Sequence, residues 1–393
     1  MTVLGLDQLM ARGVRGKRVF VRSDLNVPLK DGVITDDTRV RASLPTLHRL
    51  LDGGARVVVS SHLGRPKGQA KPEFSLRPVA PRMAELLGRG VSFCEDTIGA
   101  SAREAVDGLG DGQLLLLENL RFHPGEEKND ADFAKALAEL ADVYVNDAFG
   151  TAHRAHASTA GVTAYVESVA AGALLESELE HLRVVREPER PLMVVLGGAK
   201  VSDKLAVLEA LAPHADILAI GGAMSYTFMA ARGEAVGASL MEPDRIEDAR
   251  AILRSAEETG RELLLPTDHV IAQDVAPGAA TQTVTSIPEG WMGVDIGPET
   301  AARYAEAIGK ARTFFWNGPM GVFEIPEFAN GTAQVARAAA ATDATSVIGG
   351  GDSLAAINQL KLGDQITHLS TGGGASLEYV QGLLLPGVAA LDR

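Results

Sequence analysis

The stretch "LMVVLGGAKVSDKLAVLEAL" (residues 192–211) contains the pattern that decides the fold class of this chain. Its leading apolar residues predict a buried strand, Gly197 and Gly198 predict a tight turn, and apolar residues then recur at helical spacing. Short β-rich runs alternate with helical patterns in the same way along the whole chain. This alternation predicts an α/β protein built from doubly wound parallel sheets of βαβ units.

Two lysines, Lys200 and Lys204, stand where the helix of this stretch is expected to begin. The exposed N–H groups at a helix start already make that end positive. Lysines four residues apart also share one helix face and repel each other. The pattern therefore indicates that an anion binds at this turn.

The composition limits the class of protein. A chain of 393 residues is too long for one hydrophobic core and suits two domains. With 51 Asp and Glu against 37 Lys and Arg, the formal net charge is −14, which argues against general binding to nucleic acid or an anionic membrane. Cys94 is the only cysteine, so internal disulfides and a cysteine-built metal site are excluded. Without a signal-peptide pattern or an apolar stretch of about 20 residues, we expect a cytoplasmic protein.

The residues that follow the predicted strands differ between the two halves of the chain. Ligands bind outside the carboxyl ends of the strands in such sheets, so these residues are candidates for function. In the second half they are glycines, as in "LMVVLGGAK", "DILAIGGAM", "TSVIGGGDS" and "THLSTGGGAS". In the first half they are polar or basic: Asp24, Asn26, His62, Arg65, Asn119, Arg121, Asp147, His153, Arg154 and His156.

The segment between the halves, "ALLESELEHLRVVREPERP" (173–191), has apolar residues at helical spacing and two prolines near its end. Because proline stops a helix, we predict a connecting helix over 173–190 and a domain boundary near 185–191.

Four arginines of the first half, Arg39, Arg65, Arg121 and Arg154, come from separate segments that follow strands or begin helices. The planar guanidinium can bind two oxygens of a carboxylate or phosphate at once. Each arginine alone is typical of a surface ion pair, but their shared place at the carboxyl edge predicts one anion-binding basket. His62 fits either this basket or a structural role.

The glycine turns of the second half allow backbone N–H groups to approach a phosphate closely. No GxxxxGK[ST] motif occurs, and Leu354 and Leu377 stand where the last glycine of GxGxxG belongs. A P-loop NTPase and a nicotinamide-dependent oxidoreductase are therefore disfavoured. A non-catalytic two-domain binding protein is the other alternative, although it would not need the paired lysines.

Two carboxylates near the glycine turns have two interpretations each. Asp352, in "VIGGGDSLAAI", could cap the following helix or hold Mg²⁺, which uses few protein carboxylates. Glu324, which ends "WNGPMGVFE", could be solvated or could accept a hydrogen bond from a ribose. The local sequence leaves both pairs of alternatives open.

A series of long segments resembles the phosphoglycerate kinase family, and the resemblance runs essentially from end to end. In the first half the segments are "RSDLNVPL" (22–29), "DDTRVRASLPT" (36–46), "SSHLGRPKG" (60–68), "LLENLRFHPGEE" (116–127) and "VNDAFGTAHRAHAS" (145–158). In the second half they are "LGGAKVSDKL" (196–205), "WNGPMGVFE" (316–324), "IGGGDS" (348–353), "STGGGASLE" (370–378) and "LPGV" (385–388).

The resemblance implies a two-domain kinase. It would transfer a phosphoryl group reversibly between 1,3-bisphosphoglycerate with MgADP and 3-phosphoglycerate with MgATP. An N-terminal phosphoglycerate-binding domain over 1–172, with a returning segment 375–393, would be joined by a hinge helix over 173–190 to a nucleotide-binding domain over 191–374. The family expectation is a monomer whose hinge closes to bring the two substrates in line.

The family pattern also implies a role for each matching position. Phosphoglycerate would be held by Asp24, Leu25, Asn26, Arg39, His62, Leu63, Gly64, Arg65, Arg121 and Arg154. The nucleotide would be held by Lys204, Gly293, Glu324, Gly349, Gly350, Gly351, Asp352 and Ser353, and Asp352 would also bind Mg²⁺. Arg39 and Lys200 would stabilise the phosphoryl group in transit, with Gly372 and Gly373 in the loop at the transition state.

Three positions depart from the usual residues of the family. Ser23 replaces an apolar residue and is expected to affect packing beside Asp24. Ala223 replaces a glycine, which puts a close backbone approach to the adenine in doubt. Ser353 replaces a threonine but keeps the hydroxyl.

Overall fold

The computed structural model describes residues 3–392 of the chain. These residues form two compact units. We call them the N-terminal unit, Met1–Leu179 with Leu384–Arg393, and the C-terminal unit, Glu180–Leu383.

The N-terminal unit is an α/β structure. Its strands are β1 (Arg18–Ser23), β2 (Leu29–Lys30), β3 (Val33–Ile34), β4 (Arg56–Ser60), β5 (Val91–Cys94), β6 (Leu114–Leu117), β7 (Val143–Asp147) and β8 (Ser168–Ala171). Its helices are α1 (Leu6–Ala11), α2 (Thr38–Asp52), α3 (Val79–Leu87), α4 (Gly99–Asp107), α5 (Ala131–Ala138) and the start of α6 (Ala173–Arg186). Short 3₁₀ turns lie at Pro72–Phe74, Leu120–Phe122, Phe149–Thr151 and Gly161–Tyr165.

The main sheet of this unit is parallel, in the order β5-β6-β4-β1-β7-β8. Strand β1 lies inside the sheet, and Val21 pairs with Val59 of β4 and Val145 of β7. Both faces are covered, so β1 is buried from Val19 to Ser23. The carboxyl ends of β1, β4 and β6 therefore meet at one edge of the sheet, where the polar residues predicted from the sequence begin.

The C-terminal unit repeats this architecture. Its strands are β9 (Leu192–Leu196), β10 (Ile217–Ile220), β11 (Glu262–Leu264), β12 (His269–Ala272), β13 (Gln282–Val284), β14 (Met292–Ile296), β15 (Thr313–Asn317), β16 (Thr345–Gly349) and β17 (His368–Ser370). Its helices after α6 are α7 (Leu205–Leu211), α8 (Met224–Ala231), α9 (Ile246–Glu258), α10 (Pro298–Lys310), α11 (Asn330–Ala341), α12 (Gly351–Gln359) and α13 (Gly374–Val380). Short 3₁₀ turns lie at Pro243–Arg245, Pro326–Phe328 and Gly363–Gln365.

The parallel sheet of this unit has the order β11-β10-β9-β15-β16-β17, which is the order of a Rossmann sheet. The direction of winding reverses between β9 and β15, the position at which such sheets bind ligands. Phe314, Phe315 and Trp316 of β15 are fully buried and fill the core on the two faces. A separate antiparallel sheet, β13-β12-β14, lies beside it. The doubly wound α/β fold predicted for both halves is confirmed.

The helix α6 is continuous, and the boundary between the two units falls inside it at Leu179 and Glu180. Its observed span, Ala173–Arg186, lies within the connecting helix predicted over 173–190. The side chain of Asp147 accepts a hydrogen bond from Leu174 N at 2.9 Å and so holds the start of α6.

The end of the chain returns to the N-terminal unit at Leu384, where α14 (Pro386–Ala389) follows. Gly387 N donates to Ala152 O at 2.8 Å, which fixes the returning segment. The sequence placed the start of this return at about residue 375. Residues 375–383 instead belong to the C-terminal unit, because α13 packs against α7.

The helix after the first glycine turn begins later than the sequence suggested. Helix α7 starts at Leu205, so Lys204 is its N-cap residue and Lys200 lies in the loop before it. The expectation that both lysines lie in the first helical turn is therefore wrong. Because Val201 and Lys204 form a turn between them, through a bond from Lys204 N to Val201 O at 2.9 Å, the chain becomes helical only afterwards.

Candidate active site

An arginine–aspartate pair lies at the carboxyl end of β1. Arg39, in the first turn of α2, donates from Nη1 to both carboxylate oxygens of Asp24, at 2.8 and 2.9 Å. The Asp24 side chain is 9% exposed, whereas that of Arg39 remains 37% exposed. The pair holds Arg39 at the sheet edge with more than a third of its side chain exposed.

Asn119, the second residue after β6, organises the loop that follows β4. Its Nδ2 donates to Leu63 O at 2.7 Å, and its Oδ1 accepts from Arg121 N at 3.0 Å. Arg121 Nη1 then donates to Gly64 O at 2.8 Å, while Gly64 N donates to Asn26 Oδ1 at 2.8 Å. These bonds join the ends of three strands, so the residues after them are held in fixed positions.

Some residues predicted to bind the substrate have side chains that a ligand could not reach. Leu25 and Leu63 are buried in the core, so only their backbone could reach a ligand. Arg65 is exposed and follows Gly64 in the loop held by Arg121.

His62, which follows β4, is 4% exposed and lies near Arg22, Arg39 and Arg121. Burial lowers the pKa of His62 well below its usual 6.5, and the positive charges of Arg22, Arg121 and Arg39 lower it further. The imidazole is therefore neutral at physiological pH. Arg22 Nη2 lies 3.3 Å from His62 Nδ1.

Arg121 and Arg154, together with Arg39, form what we call the basic cluster. Burial lowers the pKa of Arg121, although Glu127, whose Oε1 lies 3.3 Å from Arg121 Nε, opposes this effect. Arg154 is half-buried and donates from Nε to His153 Nε2 at 3.1 Å. Burial also lowers the pKa of His156 to about 4, with contributions from Arg121 and Arg154. The structure thus concentrates positive charge around one edge of the N-terminal sheet.

Three residues that sequence reasoning missed stand behind this cluster. Arg22, Glu126 and Ser158 are fully buried. Arg22 Nε donates to Ser158 Oγ at 2.8 Å, and Ser158 Oγ donates to Glu126 Oε1 at 2.6 Å. The available signal was an arginine inside "RVFVRS", an otherwise apolar strand in which a charged residue needs a buried partner.

The C-terminal unit has a cavity of about 380 Å³ at the carboxyl ends of its parallel strands. Most of its lining residues follow β9, β10 or β15 or lie in β14. The full lining is Gly198, Ala199, Gly222, Ala223, Tyr226, Leu240, Val275, Met292, Gly293, Val294, Asp295, Pro319, Met320, Gly321, Val322, Glu324 and Asp352. Three of the predicted nucleotide residues, Gly293, Glu324 and Asp352, therefore lie together.

The glycine turns bring three strand ends into close backbone contact. Gly197 N donates to Asn317 O at 3.0 Å, and Gly222 N donates to Met320 O at 2.9 Å. Gly222 has φ +66, a conformation that strongly favours glycine. Ala223 follows with φ −63 as the N-cap of α8, so this position does not need glycine's backbone freedom.

Gly293 lines the cavity, and the Tyr226 side chain leaves no room for a Cβ at this position. Gly293 N donates to Ser239 Oγ at 2.9 Å, and a Cβ at this position would overlap the hydroxyl of Tyr226. Glycine here lets the Tyr226 ring form a wall of the cavity.

Lys204 and Asn317 form a pair, and Lys204 lies within the electrostatic influence of Asp352, a residue that lines the cavity. Lys204 Nζ donates to Asn317 Oδ1, and burial lowers the pKa of Lys204, while the charges of Asp352 and Asp203 oppose this effect. Asn317, read from the sequence only as part of a turn, thus positions the lysine. Lys200 is exposed.

The segment Gly349–Ser353 connects β16 to α12. Gly350 has φ +93 and is the N-cap residue of α12, so Asp352 is not the N-cap. Asp352 is exposed in the first turn and lines the cavity, whereas Ser353 is buried and its Oγ accepts from Gly318 N at 2.7 Å. The hydroxyl kept at position 353 therefore supports the turn after β15.

Gly372 and Gly373 follow β17, at the edge of the sheet. Gly372 is buried, and Gly373 has φ +55 and ψ −115 as the N-cap residue of α13. This conformation strongly favours glycine.

The departure at Ser23 has a structural consequence. Ser23 is fully buried at the end of β1, and its Oγ has no hydrogen-bond partner among the described residues. A buried hydroxyl without a partner costs stability.

A family model described as phosphoglycerate kinase matches residues 9–383. The chain belongs to the phosphoglycerate kinase family. It is a kinase that transfers phosphate to a carboxylate of 3-phosphoglycerate, and it uses ATP and ADP as its other substrates. The identification made from the sequence motifs is confirmed.

Individual relatives agree with this assignment. The chain is 54% identical over 383 residues to a phosphoglycerate kinase of Clostridium perfringens, covering 96% of each chain. It is 53% identical over 394 residues to that of Synechococcus elongatus, covering 98% of each. Among solved structures, phosphoglycerate kinase from Coxiella burnetii has a TM-score of 0.91 at 41% identity and covers 99% of both chains. The enzyme from Pyrococcus horikoshii has a TM-score of 0.84 at 35% identity over 98% of both.

Within residues 3–392, every helix falls short of the length and apolarity needed to cross a membrane.

Proposed function

We propose that each unit of this phosphoglycerate kinase binds one substrate. The N-terminal unit binds the phosphoglycerate, and the C-terminal unit binds the nucleotide. The observation that carries this division is the basic cluster at the carboxyl edge of the N-terminal sheet, with a glycine-lined cavity at the equivalent edge of the other sheet.

In the N-terminal unit, the phosphate and carboxylate of phosphoglycerate would be bound by Arg39, His62, Arg65, Arg121 and Arg154. Asp24 and Asn26 would accept hydrogen bonds from the hydroxyl, and the backbone of the buried Leu25 and Leu63 and of Gly64 would complete the site. Guanidinium groups suit this anion because they bind two oxygens at once. The bond from Arg121 to Gly64 O and the pair between Arg39 and Asp24 fix these groups before the substrate binds.

In the C-terminal unit, the adenine would lie in the cavity beside Gly293, with Glu324 accepting from the ribose. Lys204 and the turn Gly349–Ser353 would hold the phosphates. Backbone N–H groups at a helix start attract phosphate oxygens. The exposed Lys200 and the half-buried Lys204, which were a local anomaly in the sequence, would then be neutralised by the nucleotide.

Asp352 would hold Mg²⁺ together with the phosphates of the nucleotide. Its carboxylate is exposed in the first turn of α12 and lines the nucleotide cavity, which fits an ion that takes one or two protein carboxylates and otherwise water and phosphate oxygens. Within residues 3–392, three or more His, Cys, Asp or Glu side chains nowhere converge to form a metal site of their own. When bound, Mg²⁺ neutralises charge on the transferred phosphate.

The chemistry needs in-line positioning and charge stabilisation rather than a strong base, because the attacking carboxylate of 3-phosphoglycerate is already ionised. We assign this stabilisation to Arg39 and Lys200, and we assign Gly372 and Gly373 to the loop that acts in the transition state. Since the two substrates are assigned to different units, transfer requires hinge closure about α6, which would also exclude water from the acyl phosphate.

We further propose that the enzyme works as a cytoplasmic monomer without binding nucleic acid or membranes. The acidic net charge of −14, which repels anionic partners, supports the absence of nucleic-acid and membrane binding, and the monomer is the expectation from the family. Sedimentation analysis of the purified protein tests the monomeric state.

A coupled assay tests the proposed function directly. Purified protein should form ATP from ADP and 1,3-bisphosphoglycerate, and activity should require Mg²⁺. Arg65→Ala should raise the KM for 3-phosphoglycerate by about tenfold or more, the scale for a hydrogen bond to a charged group, and leave the KM for ATP unchanged. Arg12→Ala, at another exposed arginine of the N-terminal unit, is the matched control. An Arg65→Ala enzyme that binds phosphoglycerate normally and nucleotide poorly would reverse the assignment of the units.

A further inference from the structure

We propose that Ser158 and Glu126 are positioning residues that hold Arg22 so that His62 is fixed as its Nε2–H tautomer, a hydrogen-bond donor to phosphoglycerate. The proposal rests on the function proposed above for the N-terminal unit. It adds a series of buried hydrogen bonds, from Glu126 through Ser158 and Arg22 to His62, which we call the hydrogen-bond chain.

The buried Arg22 determines the direction of every hydrogen bond around it. Its Nε donates to Ser158 Oγ at 2.8 Å, its Nη1 donates to Ser23 O, and its Nη2 lies 3.3 Å from His62 Nδ1. A guanidinium has only donors and stays protonated in proteins. His62 Nδ1 must therefore be an acceptor, without a proton of its own.

The remaining proton of His62 is then located by elimination. Burial and the charges of Arg22 and Arg121 lower the pKa of His62, so the doubly protonated ring is disfavoured. A neutral imidazole carries one N–H group. With Nδ1 accepting from Arg22, this group is Nε2–H, and it remains available to an oxygen of the substrate.

Ser158 and Glu126 fix Arg22 from the other side. Because Ser158 Oγ accepts from Arg22, its own proton points to Glu126 Oε1, 2.6 Å away, and Ser158 N donates to Glu126 Oε2 at 3.0 Å. Glu126 and Arg22 are both fully buried, so the carboxylate supplies the counter-charge that a buried guanidinium requires. Burial raises the pKa of Glu126, while Arg22 and the bonds from Ser158 oppose this effect.

The hydrogen-bond chain would give the substrate site a donor, His62, whose protonation does not change near neutral pH. A free histidine titrates near 6.5 and would alter both charge and hydrogen bonding in that range. The neutral Nε2–H group of His62 instead donates at a fixed place beside Arg121 and Arg39. The specific role of the hydrogen-bond chain is to determine which nitrogen of His62 carries the proton. A merely structural role would not require this.

The tautomer of His62 can be measured without any substrate. In protein labelled with ¹⁵N at histidine, the two ring nitrogens give distinct chemical shifts when one is protonated and the other is not. His62→Asn identifies the signals by their loss. The proposal expects an unprotonated Nδ1 and a protonated Nε2 in the wild-type protein at pH 7. A protonated Nδ1 would overturn it.

Ser158→Ala tests whether the bond between Ser158 and Arg22 sets the tautomer of His62. Removing the hydroxyl should leave Arg22 without its Nε partner, shift the His62 signals toward a mixture of tautomers, and raise the KM for 3-phosphoglycerate about tenfold. The change in kcat should be smaller, and the KM for ATP should stay constant. Ser43→Ala is the matched control, because Ser43 is also buried in this unit and donates only to Val40 O of its own helix, at 2.8 Å.

The possible outcomes separate the two proposals. If Ser158→Ala behaves like Ser43→Ala in both tautomer and KM, the positioning role is wrong. If Ser158→Ala does not fold, Glu126→Gln provides the same two readouts and the wild-type tautomer still decides the first step. If His62→Asn binds phosphoglycerate as well as the wild-type protein, the function proposed for the N-terminal site fails, whatever the tautomer is.

Discussion

Arg39 donates from one nitrogen, Nη1, to both carboxylate oxygens of Asp24, at 2.8 and 2.9 Å. The aspartate is nearly buried and the arginine remains partly exposed, so the pair anchors a guanidinium whose other N–H groups can turn to a substrate. The residue assigned to the transferred phosphoryl group is therefore held by one assigned to the phosphoglycerate.

Asp24→Asn should lower kcat about tenfold, because the neutral amide loses a charge-assisted bond that orders Arg39. It should also raise the KM for 3-phosphoglycerate. Steady-state kinetics in both directions measure these changes. Asp142→Asn is the control, since Asp142 makes a similar pair with Arg18, at 2.7 Å, at the opposite end of β1. Equal kinetics for the two variants would show that the pair is only structural.

Lys200→Met should reduce turnover by about 10² to 10³ or more, the scale for loss of one charged donor at the transition state. Nucleotide affinity should change little, because Lys200 is exposed and is assigned only to the group in transit. Lys204→Met should instead raise the KM for ATP, since Lys204 is assigned to the nucleotide phosphates and Asn317 holds it near Asp352, which lines the cavity. Single-turnover kinetics with nucleotide binding by calorimetry distinguish the two effects. Near-normal turnover of the Lys200 variant would contradict its role.

Gly293→Ala should weaken nucleotide binding and destabilise the protein by about 1–3 kcal/mol, as expected for overpacking. The added Cβ would overlap the hydroxyl of Tyr226, which lines the same cavity. Gly309→Ala is the control, because Gly309 lies in α10 with open space around it, and alanine there favours the helix. Thermal unfolding and ATP binding give both readouts. An unchanged KM for ATP with lowered stability would separate the packing of Tyr226 from nucleotide binding.

The sequence predicted the fold and the location of the site because both depend on local patterns. Apolar runs followed by glycine or by arginine marked the strand ends, and parallel strands bring those ends to one edge of a sheet. Arg121 and Asp352 could therefore be chosen from their positions after strands, and Arg39 from its position at the start of a helix. The family resemblance supplied their roles, which local patterns do not contain.

The parts that could not be predicted depend on contacts between distant segments. Arg22 meets Ser158 across 136 residues, and neither residue has a local partner that signals the bond. The helix start after Gly198 was misplaced because a turn through Lys204 competes with the helix, and periodicity does not distinguish them. Asn317 looked like an ordinary turn residue until the fold brought Lys204 to its side chain.

Asp295 gives a pH-dependent prediction. It is 2% exposed, and burial raises its pKa from 3.8 to about 7, although bonds from Gly331 N at 2.6 Å and Ile296 N at 2.9 Å oppose this. As the pH rises from about 4 to 7, the unfolded chain loses this proton while the native protein keeps it. Stability must therefore fall over that range, by about 4 kcal/mol at most.

Asp295→Asn removes this titration, so the free energy of unfolding of the wild-type protein minus that of the variant should decrease from pH 4 to 7 and stay level above. Other buried groups, such as His156 and His269 with pKa values near 4, also change stability with pH, but they are present in both proteins and cancel in the difference. Urea unfolding at several pH values without nucleotide measures it. Asp343→Asn, at an exposed aspartate, is the control. A difference that is independent of pH would mean that Asp295 is ionised in the native protein throughout this range.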